Sequence, residues 1–261
     1  MELWSDVLKT QYANTPILQY PSPSLMDHAH PALSSFIEAL SSGDKKKIRA
    51  AVDGLIALAL EEPEINERLR SLLDETPPER RWPIAYVLAH ASPLTPACVA
   101  ALKETLGSSD PDLRWAVAVL LVRLAKESHP NLIAQLAGLL RSGAPTQRRM
   151  AVYCLRDIGA QDEDTSRALI GALGDADALV RVAMITSLKA MPKVAGEALE
   201  ILLRMFVEDA DMRVRASAAL ALARFGAGRN DVRAALDDAS RSNDPILSKA
   251  ARAALQILEK I

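Results

Sequence analysis

An apolar residue followed by arginine recurs along the chain at Ile48-Arg49, Leu113-Arg114, Val180-Arg181 and Val214-Arg215. Degenerate copies stand at Arg80-Arg81, Gln147-Arg148 and Leu247-Ser248. The second positions are 49, 81, 114, 148, 181, 215 and 248, so successive spacings run from 32 to 34 residues. A period near 33 sustained over most of a chain is the mark of a helical solenoid, in which each unit buries the apolar face its neighbour exposes.

The copies read as helices. Counting the arginine position as zero, columns −1, +3, +6, +7 and +10 are nearly all apolar, as in Val214, Ala218, Ala221, Leu222 and Phe225. At about 100° per residue these columns share one face, which predicts an amphipathic helix with one buried stripe. Column −4 holds Asp110, Asp177, Asp211 and Asp244, and column −3 holds Pro78, Pro111, Pro145 and Pro245. Aspartate can accept from the free amides of a first helical turn, and proline there forfeits no hydrogen bond. Each copy is therefore expected to start at its cap.

The segments Asp175-Ala-Asp177-Ala-Leu-Val-Arg181 and Asp209-Ala-Asp211-Met-Arg-Val-Arg215, followed by small residues and a closing glycine, resemble the HEAT repeat. The resemblance is closest to the bacterial variety named after phycobilisome lyases and covers roughly residues 30 to 260. It implies an all-α fold, an α-solenoid of about seven helix pairs. As to function it is broad: that family includes scaffolds, transport receptors, chromophore lyases and a few enzymes.

Composition agrees with the architecture and narrows the function. A hydrophobic content of 49% with 4% aromatic means a core of Leu, Ala, Val and Ile, and a net charge of −2 supplies no general attraction for nucleic acid. Two cysteines, Cys98 and Cys154, imply no disulfide framework and fit a reducing compartment, here the cytoplasm. No signal-peptide pattern and no 18-residue apolar run are expected to direct the chain into or across a membrane.

Taken in order, residues 1–30 comprise a short helix carrying Trp4, Val7, Leu8 and Tyr12, then a proline-rich extended stretch with Ile17, Leu18 and Tyr20. Residues 31–261 form a single solenoid with repeats at 31–61, 62–92, 93–126, 127–159, 160–192, 193–227 and 228–261. The seventh, with Ser248, Lys249, Arg252, Gln256 and Glu259, is polar enough to cap the stack.

The surface opposite the buried stripe is columns +1, +5 and +8 of the second helices. Those positions hold Trp82 and Tyr86, Trp115 and Val119, and Arg149, Tyr153 and Arg156 in consecutive repeats, with Ala50, Gly54, Ala89 and Ala223 among the remainder. No Asp or Glu occurs in these columns, although a merely solvated face should carry both signs. Trp, Tyr and Arg are enriched at binding hot spots, so Trp82, Tyr86, Trp115, Val119, Arg149, Tyr153 and Arg156 are the candidate partner-binding residues. The expected partner is another protein or peptide with apolar anchors and some acidic residues, and residues 14–31 could occupy the groove in cis. The arginine column lies beside the core, and the resemblance to HEAT repeats implies a structural ladder in which it bonds to the aspartates of columns −6 and −4.

Chemistry is not encoded in a recognisable form. The HEAT-like iron hydroxylases use His-Glu pairs, whereas His28, His30, His90 and His129 are followed by alanine or proline, so no metal site or cofactor is expected. HEAT-like DNA glycosylases need a concave acid that these columns lack, and duplex affinity calls for a basic surface. The chain reads as a non-catalytic scaffold. The alternative, from the resemblance to bilin lyases, is a chromophore-handling protein whose aromatic groove holds a tetrapyrrole.

Overall fold

The computed structural model describes residues 31–42 and 44–260. Among these it contains fifteen α-helices and no strand. They are α1 (Pro31–Leu40), α2 (Lys45–Glu61), α3 (Pro63–Glu75), α4 (Trp82–Ala91), α5 (Pro96–Thr105), α6 (Pro111–Glu127), α7 (Asn131–Ser142) and α8 (Pro145–Ile158). There follow α9 (Glu163–Ala172), α10 (Ala178–Ser187), α11 (Pro192–Glu197), α12 (Leu199–Glu208), α13 (Met212–Phe225), α14 (Asn230–Ser240) and α15 (Pro245–Leu258). No helix among the described residues is long and apolar enough to cross a membrane. The expectations for the short helix and proline-rich stretch of residues 1–30 lie outside the described residues.

The chain forms two compact units, one ending at Val117 and one beginning at Ala118. In the first, α1 packs on α2, α2 on α4, and α4 on α3 and α5. In the second, α8, α10, α13 and α15 make a continuous row, each touching the next, and α7, α12 and α14 back onto that row. This is the all-α solenoid organisation that the 33-residue period predicts.

The apolar columns are what each row buries. Every residue of column +3 is buried, from Val52 and Ile84 to Ala218 and Ala251. Column +6 is buried throughout as well, including Cys154 and the one hydroxyl in the series, Ser187. Burial pushes the Cys98 and Cys154 thiols up to about 12, so both are uncharged at neutral pH. The helix starts follow the caps: Asp177 accepts from the amides of Leu179 and Val180, Asp211 from Arg213, and Asp244 from Ile246 and Leu247. Asp44 does the same for α2, one residue off the template register.

Within the second unit the arginine column is a ladder. Arg148 grips Asp175 through two hydrogen bonds of 2.6 Å, and Arg181 grips Asp209 at 2.9 and 2.7 Å. Each rung joins one repeat to the next, and the side chains are 17% and 7% exposed in the first pair and 14% and 9% in the second. The same aspartates also accept the amides of Asp177 and Asp211, which fixes the turn before each helix. Burial pushes the Asp175 carboxyl up, but the hydrogen bonds and charge of Arg148 outweigh it and leave the group below its ordinary value.

Three expectations need correction. The second helix of repeat 2 does not start at Pro78: Pro78–Arg80 is a single 3-10 turn, and α4 begins at Trp82. Pro83 cannot donate a backbone hydrogen bond and its ring would clash inside a helix begun four residues earlier, so the helix waits until Pro83 falls in its first turn. Ala89 and Ala223, placed on the exposed columns, are 5% and 0% exposed, because alanine at column +8 lets neighbouring helices approach. Gly54 is half-buried, and a Cβ there would overlap the ring of Phe36, so glycine at this position admits α1 onto α2.

Candidate functional site

Helix α4 starts late. The helices on either side of it begin at columns −4 and −3, whereas α4 begins at +1, about one turn short. Lys45 at the start of α2 reaches Asp110 just before α6, 65 residues away, with Nζ to Oδ2 at 3.4 Å. The pair is 9% and 7% exposed. Asp110 also caps α6, accepting from the amides of Asp112 and Leu113.

Beneath this bridge lies a cavity of about 150 Å³ within the first unit. Its apolar wall is Ile48, Val52 and Ile56 of α2 with Leu113 of α6, and its aromatic wall is Trp82 and Tyr86 of α4. Polar groups stand around it: the Lys45–Asp110 bridge, Arg49 with Asp53 at 3.9 Å, and His90. The imidazole of His90 stacks obliquely on the Tyr86 ring at 4.7 Å and its Nδ1 sits 2.8 Å from the Tyr86 carbonyl oxygen, which fixes both rings. Trp82 and Tyr86 are half-buried and the Asp53 side chain is 69% exposed, so one side of the lining reaches the surface.

Trp82 and Tyr86 thus meet on one cavity, and Trp115, 43% exposed in the same unit, is outside its lining. In the second unit Val119 is 67% exposed, and Arg149, Tyr153 and Arg156 are half-buried. Arg156 lies over the Tyr153 ring at 5.0 Å while its Nε donates to Asp157 at 2.7 Å. The hydrogen bond and charge of Asp157 hold the guanidinium more strongly protonated than usual, and that charge is already matched locally.

The anion-free inner surface needs a correction. Columns +1, +5 and +8 contain no carboxylate, yet the cavity acquires Asp110 from column −4 and Asp53 from column +4. Asp110 stands there as the cap of α6 and the partner of Lys45. The second unit also holds an open groove of about 800 Å³ between α7 and α9, lined by Ile133, Ala137, Arg141, Asp164 and Arg167 among others. It is formed by first helices, which the inner-column reading does not cover. Among the described residues no group of three or more His, Cys, Asp or Glu side chains is arranged to hold a metal ion.

A designed armadillo repeat protein in complex with the peptide (KR)4 is 16% identical, with 87% of this chain and 99% of that chain covered and a TM-score of 0.40. Human deoxyhypusine hydroxylase in complex with glycerol is 17% identical, with 87% and 85% covered and a TM-score of 0.40. None of the curated proteins matches. Residues 99–189 and 166–256 each match the family model of HEAT repeats, together more than half of the chain. The protein is a member of the HEAT-repeat family.

Proposed function

We propose that this HEAT-repeat protein is a non-catalytic docking scaffold, and that the cavity under the Lys45–Asp110 bridge receives one apolar side chain of a protein or peptide partner. The observation that carries the reading is the size and lining of that cavity. About 150 Å³ is enough for a single aliphatic or aromatic side chain and falls below the roughly 300 to 1,000 Å³ typical of small-molecule sites. The same comparison disfavours a tetrapyrrole there. Trp82 and Tyr86 supply large, rigid contact area of the kind that dominates hot spots, and Trp115 adds exposed aromatic surface in the same unit.

Val119 and the Arg149, Tyr153 and Arg156 cluster form a second candidate contact surface, in the second unit. Arg149 is the residue proposed there for acidic partners, since Arg156 is engaged by Asp157. Against a duplex-DNA reading stand the net charge of −2 and the engagement of Asp110 by Lys45 and two backbone amides.

The test is selection of binding peptides from a random displayed library on the full chain, followed by fluorescence anisotropy. Selected peptides should share one apolar anchor, and Trp82→Ala with Trp115→Ala should weaken them at least tenfold, about 1.4 kcal/mol, with helicity unchanged. Peptides without a shared anchor, or an affinity the double variant leaves intact, would refute the reading.

A further inference from the structure

Resting on that docking reading, we propose that the cavity's resident occupant is the protein's own stretch Pro16-Ile17-Leu18-Gln19-Tyr20-Pro21, which competes in cis with external partners. Connectivity supplies the first argument. The described chain begins at Pro31, the first residue of α1, and α1 packs on α2, which supplies most of the cavity's apolar wall. Tyr20 is eleven residues from Pro31, a tether of up to about 36 Å, whereas α2 with its 17 residues is about 25 Å long. Every point along α2 is within the tether's reach.

Chemistry supplies the second. Residues 14–30 contain one charged side chain, Asp27, so the segment brings no unpaired charge to a cavity whose own charges are paired as Lys45 with Asp110 and Arg49 with Asp53. Ile17, Leu18 and Tyr20 are its concentrated apolar groups, each of a size for about 150 Å³. Each of Pro16, Pro21 and Pro23 restricts its own φ before as well as after docking, which lowers the entropy lost on docking.

Tethering supplies the third. Covalent linkage over so short a stretch of chain gives an effective concentration in the millimolar range, so a segment that binds in trans with a dissociation constant near 100 µM would occupy its site about nine-tenths of the time in cis.

The experiment uses the full chain with Trp4→Phe and Trp115→Phe, which leaves Trp82 as the single tryptophan reporter. Ile17→Ser, Leu18→Ser and Tyr20→Ser together should shift Trp82 emission to the red and raise its quenching by iodide. A synthetic peptide of residues 14–30 should reverse both changes saturably, with a dissociation constant below about 1 mM, and should not titrate the parent chain. Unchanged emission and quenching in the triple variant, or no saturable reversal by the peptide, overturns the proposal. A library-selected peptide run in parallel separates the two readings. If an anchor-bearing peptide binds the chain with and without the three serine substitutions equally, Trp115 being kept in both, docking stands and the cis occupant fails; if no anchor-bearing peptide is selected on either, both fail.

Discussion

At the scale of single residues, a few positions decide what the repeat can do. Ser187 is fully buried in column +6, and its Oγ has no hydrogen-bond partner among the described residues. Every other residue of that column is apolar, so the hydroxyl loses water without compensation. Ser187→Ala should therefore stabilise the protein by about 1 kcal/mol, read as a raised thermal midpoint; a lowered midpoint would show that the hydroxyl is satisfied. The column pattern sets Trp82 and Tyr86 on the same side of α4, and both are half-buried in the cavity lining. Asp110 was legible as a helix cap but not as part of a cavity, because its pairing with Lys45, 65 residues away, is a contact that a column alignment does not register.

At the scale of elements, the ladder explains why the second helices of the second unit keep register. Arg181→Ala leaves Asp209 mostly buried without its partner and should cost about 3 kcal/mol in urea unfolding. The Arg148–Asp175 rung adds a pH dependence whose sign is fixed. The folded carboxyl titrates below its ordinary value of 3.8, so its contribution is complete above about that pH and is lost as the pH falls further. The stability difference between the parent and Arg148→Ala, measured by urea unfolding, should accordingly be constant near neutrality and shrink below about pH 4. The last rung is unmade. Arg215 has Ser242 at the position where Asp175 and Asp209 stand for the preceding arginines, and its Nε donates to the Phe206 carbonyl instead. Ser242 already accepts the Asp244 amide as the aspartates do for their turns. Ser242→Asp keeps that bond and offers a second oxygen, so it should add up to about 1 kcal/mol, whereas Ser242→Asn should add nothing; equal effects would refute a charged rung. These rungs could be foreseen from the Asp and Arg columns, since their geometry is set by the repeat itself.

At the scale of the whole molecule, the fold was legible because one short pattern repeats: stripe, cap and arginine recur together, and each copy restates the others. Function is less legible for the same reason, since a repeat specifies stacking and leaves binding to the positions where copies differ. The cavity is lined by α4 of repeat 2, which departs from the pattern by its late start. The account's central claim is that this cavity seats a partner's side chain. It is tested most directly by filling it: Val52→Phe places extra atoms in about 150 Å³ of space without removing Trp82 or Tyr86. The dissociation constant of a selected anchor-bearing peptide, measured by anisotropy, is predicted to rise at least tenfold with the thermal midpoint maintained. An unchanged dissociation constant in the filled protein would contradict the claim.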